Sequence, residues 1–179
     1  MPIGPGTKVP GRWDGATWSP MPGWQKFCDA APAEFIHDRW ETWPDAGICI
    51  AHGNVLGLDL DTDRQDVAEA LHRAVEPPTV RRRGSKGWLG YYRPGEGLDG
   101  LSARIRWYDP KAIGPDGKPN TSPVVELLLR GTQSVLPPTI HPGTNAPYEW
   151  TTPDTLEDTG ITDLPTFGKP DLDALDREF

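Results

Sequence analysis

Two aspartates at the end of an apolar segment are the first residues whose types and spacing indicate chemistry. Asp59 and Asp61 close the run VLGLDLD, which predicts a β-strand over residues 55–61. Residues i and i+2 of a strand point to the same face, so the two carboxylates would lie side by side. Carboxylates this close repel each other unless a cation lies between them, and Mg²⁺ and Mn²⁺ prefer oxygen ligands. The alternative is structural, with Asp61 or Asp63 capping the helix that follows.

A third acid, Glu126, lies inside the aliphatic run VVELLL. Burying an unpaired carboxylate is costly, so Glu126 must find a partner or reach a wet cleft. A metal site shared with Asp59 and Asp61 would meet this requirement. A salt bridge to Arg104 or Arg106 on a neighbouring strand would meet it equally well.

The segment RRRGSKG at residues 81–87 combines three arginines, two glycines, a serine and a lysine. Glycines let backbone amides approach a ligand, and Arg83, Ser85 and Lys86 are suited to bind phosphate oxygens. The spacing is not that of a Walker A loop. The alternative interpretation is an ordinary charged hairpin loop.

His141 lies in PPTIHPG, residues 137–143, where prolines stiffen the backbone. That rigidity would fix the direction of the ring, toward a phosphate or a ribose. A purely structural role is the alternative.

The elements that must position these residues predict a mixed α/β (α+β) domain with a mostly antiparallel sheet. Residues 47–51 and 55–61 predict a β-hairpin around a tight turn at residues 52–54. The run DRQDVAEALHRAV predicts a helix that begins at an Asp63 N-cap and ends before Pro77. A polar loop is predicted over residues 109–122 and a short C-terminal helix over 172–179. Further strands are predicted over 80–83, 88–93, 103–108, 124–129 and 148–150.

Composition predicts one folded domain in a reducing compartment. The 179 residues suffice for one compact core, and the two cysteines, Cys28 and Cys49, have neither disulfide nor zinc spacing, as is typical of the cytoplasm. No apolar run approaches the ~18 residues of a membrane span, and MPIGPGTKVP lacks a signal-peptide pattern. The net charge of −8 hides a basic middle, with nine Lys or Arg against four acids between Arg81 and Lys118. An acidic end follows, with nine acids against two bases from Glu149 to Phe179.

Taken in order, these features resemble the primase-polymerase domain of the archaeo-eukaryotic primase superfamily, most of all the bifunctional primase-polymerase domains of phages and plasmids. The resemblance covers residues from about 2 to 150. PIGPGTKVPG is similar to an opening Pro…Lys-x-Pro stretch, and residues 59–61 match the first metal motif. RRRGSKGWLGYYR resembles the second motif, Glu126 falls at the third acidic position, and VLPPTIHPGTNAPYEW is similar to the Pro-Pro-Ser/Thr segment that follows.

One residue departs from this pattern. Many members carry a histidine in the second motif that contacts the incoming triphosphate, and this chain has Leu89 in that place. The resemblance then leaves the contact to Lys86, Ser85, an arginine of residues 81–83, or His141.

The resemblance implies an archaeo-eukaryotic primase-like fold with an RRM-like catalytic core flanked by helices. It implies a catalytic domain over residues 1–150 and an acidic C-terminal extension or linker over 151–179. The activity it implies is template-directed nucleotidyl transfer by a DNA primase or DNA polymerase, with two divalent ions, Mg²⁺ or Mn²⁺, on the three acids. Arg93, Arg104 and Arg106 would then bind the single-stranded DNA template and primer.

The resemblance also implies a setting and leaves two alternatives. The substrates would be dNTPs or NTPs, a helicase or another replication protein would be a partner, and the cytoplasm of a bacterial or archaeal host cell would be the location, without a membrane. A non-catalytic nucleotide or single-stranded nucleic-acid binding module of the same fold is one alternative. A glycosyltransferase that uses Asp59-Leu60-Asp61 as a DxD motif is the other; the third acid argues against it.

Overall fold

The computed structural model describes residues 1–109 and 122–179, so the loop predicted over 109–122 lies almost entirely outside the described residues. Within these ranges the helices are α1 (Glu34–Glu41), α2 (Gln65–Ala74) and α3 (Lys169–Glu178), with 3-10 helices at Trp24–Cys28 and Ile161–Asp163. The strands are β1 (Pro2–Ile3), β2 (Gly11–Trp13), β3 (Trp18–Pro20), β4 (Gly47–Ala51), β5 (Leu56–Leu60), β6 (Arg81–Arg83), β7 (Trp88–Pro94), β8 (Arg104–Trp107), β9 (Val125–Leu128), β10 (Gln133–Leu136), β11 (Glu149–Trp150) and β12 (Thr166–Phe167).

The largest sheet of the described residues has seven strands and carries Asp59 and Glu126. Its strands follow the order β11-β6-β7-β5-β9-β8, and β12 pairs with β7. All neighbours are antiparallel except β12, which runs parallel to β7. A second sheet has the order β1-β4-β10, and β2 and β3 form a hairpin. The predicted mixed α+β architecture with mostly antiparallel sheets is confirmed.

Strand β5 separates two environments because its side chains alternate. Leu56, Leu58 and Leu60 point to one face, which we call the helix face because α2 and α3 pack there. Each fully buried leucine contributes roughly 1.5–3 kcal/mol of transfer free energy. Gly57 and Asp59 point to the opposite face, which we call the cleft face. Part of the cleft face packs against the second sheet through apolar side chains: Val55, Val80, Leu89, Tyr91, Leu128 and Leu164, joined by Ile50 and Leu136.

The predicted hairpin between β4 and β5 is wrong, because the two strands belong to different sheets. β4 pairs with β1 and β10, whereas β5 pairs with β7 and β9. The backbone N of His52 donates a hydrogen bond to the Thr132 carbonyl (2.9 Å), which extends the second sheet past β4. Gly53 then passes so close to Cys28 that a Cβ there would lie 1.8 Å from the Cys28 carbonyl oxygen. The chain therefore crosses from one sheet to the other instead of folding back.

Helix α2 lies within the predicted segment, but Asp63 does not cap it. The N-cap residue is Arg64, and no side chain of the described residues caps this end. The Asp63 carboxylate instead accepts hydrogen bonds from the backbone N of Gly87 (3.0 Å) and from Arg83 Nη2 (2.9 Å). Asp63 thus ties the start of α2 to the β6–β7 turn and holds that turn beside the end of β5.

Residues after 150 contribute to the same apolar core as the rest of the chain. Phe167 of β12 is fully buried, and Leu172 and Leu175 of α3 pack on the helix face. Trp107 Nε1 of β8 donates a hydrogen bond to the Asp176 carboxylate (2.9 Å). The predicted C-terminal helix is confirmed as α3, although it begins at Lys169.

Candidate active site

One row of side chains crosses five strands on the cleft face and brings two predicted acids together. Asp59 of β5 is the cross-strand partner of Glu126 of β9, and Glu126 in turn faces Arg106 of β8. On its other side Asp59 faces Leu89 of β7, and Leu89 faces Arg82 of β6. Directly opposed side chains of an antiparallel pair have Cβ atoms about 4.5–5.5 Å apart. The carboxylates of Asp59 and Glu126 are therefore neighbours because of strand register.

Asp61 lies just beyond the end of β5. Its backbone N donates a hydrogen bond to the Val124 carbonyl (2.9 Å), so it continues the β5–β9 ladder. Because it is two residues from Asp59, its side chain projects from the same face. Asp61 Oδ2 lies 3.2 Å from Lys86 Nζ, which makes an ion pair.

These side chains line a cavity of about 220 Å³ between the two sheets. Its acidic lining residues are Asp59, Asp61 and Glu126, and its basic ones are Lys8, Arg82, Lys86 and Arg104. Polar and apolar positions complete the lining: Gly84, Ser85, Leu89, Leu128, Gln133, Ser134, Val135, His141 and Tyr148. Carboxylates bind divalent cations and basic side chains bind phosphate oxygens, so the cavity suits a ligand that combines a phosphate with a metal ion.

Burial raises the pKa of the Asp59 carboxyl to about 6. The positive charge of Arg82 opposes this shift, and the negative charges of Asp61 and Glu126 add to it. A cation at close range would compensate both for the lost hydration of this carboxylate and for the repulsion from its neighbours. The electrostatics at Asp59 therefore favour a bound cation.

Glu126 combines the two roles that its sequence context predicts as alternatives. Arg106 Nε lies 2.6 Å from Glu126 Oε1, so the salt bridge exists. Glu126 also lines the cavity beside Asp59, with 16% of its side chain exposed. Arg104 lines the cavity two residues earlier on β8 and does not make this pair. The single acid in the aliphatic run is explained because position 126 faces the cleft, not the core.

The β6–β7 turn brings two of its three predicted phosphate ligands to the cavity. Ser85 and Lys86 line it, together with Arg82. Arg83 points away from it and pairs with Asp63. Side chains alternate along β6, so adjacent arginines face opposite sides and only one of the two can reach the cleft.

Gly87 is what lets this turn approach β5 so closely. Its φ is +52°, in the left-handed region that favours glycine, and a Cβ there would lie 1.7 Å from the Leu60 carbonyl oxygen. The turn is consequently held against the strand that carries the aspartates.

His141 reaches the cavity from the loop after β10. Its Nδ1 accepts hydrogen bonds from the backbone N of Gly143 (3.0 Å) and of Thr144 (3.2 Å). The neutral ring therefore carries its proton on Nε2, which is then a hydrogen-bond donor. Burial lowers the pKa of His141, and the charges of Lys8 and Arg82 lower it further. The loop thus presents a neutral donor to the cavity near pH 7.

Two basic residues and one aromatic residue of the cavity are not singled out individually by the sequence alone. Lys8 lies in the opening stretch, Arg82 is one of three adjacent arginines, and Tyr148 precedes β11. The Arg82 guanidinium lies 4.7 Å from the Tyr148 ring centroid, and the His141 and Tyr148 ring centroids are 5.2 Å apart. The register of β6 on β7 is the signal that would have selected Arg82, because it places Arg82 opposite Leu89.

The three arginines predicted to bind template and primer lie in different settings. Arg104 lines the cavity, and Arg106 is paired with Glu126 beside it. Arg93 is exposed on β7, four residues beyond Leu89 and so about 13 Å away at 3.3 Å per residue. The structure does not bring Arg93 to the carboxylates.

Among residues 1–109 and 122–179, no three Asp, Glu, His or Cys side chains converge as a ready-made metal site. Two of the three cavity acids instead form ion pairs, Asp61 with Lys86 and Glu126 with Arg106. The donor chemistry nevertheless fits Mg²⁺ or Mn²⁺, since three carboxylates on adjoining positions of one face supply oxygen ligands. The described part of the chain also contains no helix long and apolar enough to cross a membrane.

Fold and site together define a mixed α+β domain whose large sheet presents three acids and several basic side chains in one cleft. The family model for the bifunctional DNA primase/polymerase, N-terminal (Prim-Pol), matches residues 1–167, and the chain belongs to this family. Membership implies DNA primase/polymerase activity of the nucleotidyltransferase type, nucleotide and DNA substrates, and a general use of divalent metals. A comparison with curated proteins finds no significant match, and neither does a comparison with solved structures.

Proposed function

We propose that this chain is an active, template-directed nucleotidyltransferase, a DNA primase or DNA polymerase with its catalytic site in the cleft cavity. The observation that carries the proposal is the register pairing of Asp59 with Glu126 in a cavity that also contains Lys86 and Arg82. Acids that bind metal and cations that bind phosphate are both needed for phosphoryl transfer, and here they share one small space.

Asp59, Asp61 and Glu126 are the residues that would hold two divalent ions, Mg²⁺ or Mn²⁺. Such ions stabilise negative charge on the transferring phosphoryl group and lower the pKa of an attacking hydroxyl. The buried Asp59 carboxyl and the two acids beside it provide the site with three negative charges in reach of one another.

Lys86, Arg82, Ser85 and His141 are the proposed contacts to the triphosphate. Lys86 and Arg82 supply positive charge, the Ser85 hydroxyl supplies a hydrogen-bond donor, and His141 supplies Nε2–H. Leu89 occupies the place where a histidine is expected from the resemblance, and it offers no donor. His141 lines the same cavity, so its Nε2–H can replace that contact together with Lys86, Ser85 and Arg82.

The nucleic acid is proposed to run along β8, the last strand of the large sheet in the described part of the chain. Arg104 and Arg106 project from β8 on the cleft face, where they can bind backbone phosphates of template and primer. Arg93 would contribute only to nucleic acid that extends well beyond the cavity. We further propose that the domain has an RRM-like catalytic core and that its catalytic residues lie within residues 1–150. Residues 151–179 would then form an acidic extension that contributes to packing.

We propose a phage or plasmid replication system in a bacterial or archaeal cell as the setting, with a helicase or another replication protein as partner. The support is the resemblance of residues 2–150 to domains of that kind.

A nucleotide or single-stranded nucleic-acid binding module without catalysis is the second candidate. It is favoured by one observation, namely that two of the three carboxylates are engaged by Lys86 and Arg106. In this candidate the cavity would bind a nucleotide and transfer nothing.

Primer extension and unprimed synthesis on single-stranded DNA separate the two candidates. Each reaction contains Mg²⁺ or Mn²⁺ and either dNTPs or NTPs, and compares the wild-type chain with Asp61→Asn. Asp158→Asn is the matched control, because Asp158 is exposed, accepts a hydrogen bond from Thr155 and does not line the cavity. The outcome that supports the enzyme is therefore a loss confined to the cavity acid. Template-dependent products that disappear only in Asp61→Asn support the enzyme. No product from folded wild-type protein that binds nucleotide supports the binding module.

A further inference from the structure

Two of the three cavity acids are engaged by cations of the chain itself. Lys86 Nζ lies 3.2 Å from Asp61 Oδ2, and Arg106 Nε lies 2.6 Å from Glu126 Oε1. Both cations belong to elements that flank the acids, Lys86 in the β6–β7 turn and Arg106 on β8. Each acid of these pairs therefore has a positive charge beside it, from Lys86 in the cavity lining and from Arg106 on the strand next to β9.

These ion pairs are exposed enough to exchange partners. The side chains of Lys86, Asp61 and Arg106 are 46%, 41% and 45% exposed, and the Glu126 side chain is 16% exposed and lines the cavity. Water screens such pairs and competes for their hydrogen bonds, so they contribute little to stability. Each cation can leave its carboxylate without disrupting the core.

A metal ion and these cations compete for the same carboxylates. An oxygen that accepts a hydrogen bond from Lys86 or Arg106 is a poorer metal ligand, and the positive charge behind it repels a divalent ion. Phosphate oxygens attract both side chains through charge-assisted hydrogen bonds. A phosphate ligand therefore relieves the competition by giving each cation a new partner.

We propose that Lys86 and Arg106 are positioning residues that couple metal binding to phosphate binding by exchanging partners. Without nucleotide they neutralise Asp61 and Glu126; a nucleoside triphosphate takes Lys86 and the nucleic-acid backbone takes Arg106, and the carboxylates then bind metal. This inference rests on the proposed function, since it assigns those ligands to this cavity. Coupling is reciprocal, so the metal tightens nucleotide binding by the same factor.

Mn²⁺ affinity without nucleotide is the direct test, measured by titration calorimetry and by the electron paramagnetic resonance signal of free Mn²⁺. Lys86→Met and Arg106→Gln should each bind Mn²⁺ about 5- to 10-fold more tightly than the wild-type chain, a factor in the usual range of such couplings. Asp61→Asn should lose this binding, which shows that the ion measured is the one at the cavity.

Two surface substitutions control for the loss of one positive charge. Lys169→Met removes the ion pair with Asp173, and Arg73→Gln removes the pair with Glu178. Both pairs involve α2 or α3, on the opposite side of the large sheet. These variants should keep the wild-type Mn²⁺ affinity within about twofold, since exposed charges at that distance are screened.

The coupling itself is measured on nucleotide binding. The ratio of triphosphate affinities with saturating Mn²⁺ and with a chelator should be smaller for Lys86→Met than for the wild-type chain, because the exchange step is gone. Circular dichroism and urea unfolding check that Lys86→Met and Arg106→Gln are folded. If one of them does not fold, the Mn²⁺ affinity of the other tests the inference.

Unchanged or weaker Mn²⁺ affinity in the folded variants overturns the inference. If the variants show this result but the wild-type chain extends primers, the proposed function stands and the proposed exchange of ion-pair partners is wrong. If the wild-type chain neither extends primers nor binds Mn²⁺ with nucleotide present, both fall.

Discussion

Leu89 is the direct cross-strand partner of Asp59, so an apolar side chain lies beside the cavity carboxyl whose pKa is raised by burial. The same position is where the resemblance to primase-polymerase domains places a histidine that contacts the triphosphate. Leu89 is itself buried and packs against Tyr91 and Leu128. The departure therefore exchanges a polar contact in the cavity for apolar packing between the two sheets.

Restoring a donor at this position should strengthen nucleotide binding. Leu89→His is expected to improve triphosphate affinity about tenfold, because a hydrogen bond to a charged group contributes ~1.5–3 kcal/mol. It should also lower the free energy of unfolding by roughly 1–3 kcal/mol, because a polar ring replaces a buried leucine. Calorimetric titration with dNTP and urea unfolding measure the two effects.

Leu89→Met is the matched control for this substitution, since it conserves volume and adds no donor. It should leave both quantities close to the wild-type values. Equal triphosphate affinity in Leu89→His, Leu89→Met and wild type would show that position 89 does not face the nucleotide.

Stability should fall in mild acid because of His52. Burial lowers its pKa to about 4, helped by Arg82 and Arg104 and opposed by the hydrogen bond of its Nδ1 to the Val55 carbonyl (3.0 Å). The unfolded chain takes up a proton below about pH 6.5, whereas the folded chain does so only near pH 4. His52 therefore removes up to roughly 3 kcal/mol of stability between these two pH values.

His52→Asn keeps a donor toward Val55 but cannot titrate. As pH falls from 7.5 to 4.5, the free energy of unfolding of the wild type should decrease relative to that of His52→Asn. His37→Asn, at an exposed position of α1, should follow the wild type. Parallel curves for His52→Asn and wild type would contradict the assignment.

Gly87→Ala should destabilise the turn beside the aspartates. The residue has φ +52°, and a Cβ would meet the Leu60 carbonyl oxygen at 1.7 Å. Gly6→Ala is the control for backbone strain alone, because Gly6 has φ +70° and nothing within 4 Å of its Cβ position. Urea unfolding should show a loss of about 1 kcal/mol for Gly6→Ala and clearly more for Gly87→Ala. A similar loss of stability in both variants would show that the close approach of the turn to β5 contributes nothing beyond backbone strain.

Local patterns in the sequence predict the strands that carry Asp59 and Glu126. The alternation in VLGLDLD marks β5 and its two faces, and the aliphatic run around Glu126 marks β9. These are short-range signals, since each depends on burial within one strand. The acids are singled out because a carboxylate in an apolar strand needs a specific partner.

Long-range pairing is what the sequence does not predict. The β4–β5 hairpin is wrong because a short turn is compatible both with folding back and with crossing to another sheet, and the buried His52 and Gly53 decide between them. Arg82 is distinguished from Arg83 only by the register of β6 on β7. Lys8 is distant in sequence from every other cavity residue, so only the folded chain brings it there.

Single-turnover addition of one nucleotide to a primed template, comparing the wild-type chain with Asp59→Asn, tests the central claim most directly. The account predicts a loss of at least about 100-fold in rate, since a group that stabilises charge in the transition state is removed. Asp158→Asn serves as the control, because Asp158 is exposed, accepts a hydrogen bond from Thr155 and does not line the cavity. This variant should retain the wild-type rate. Unfolding by urea should show that Asp59→Asn remains folded. A folded Asp59→Asn variant that adds the nucleotide at the wild-type rate would contradict a catalytic site in this cleft.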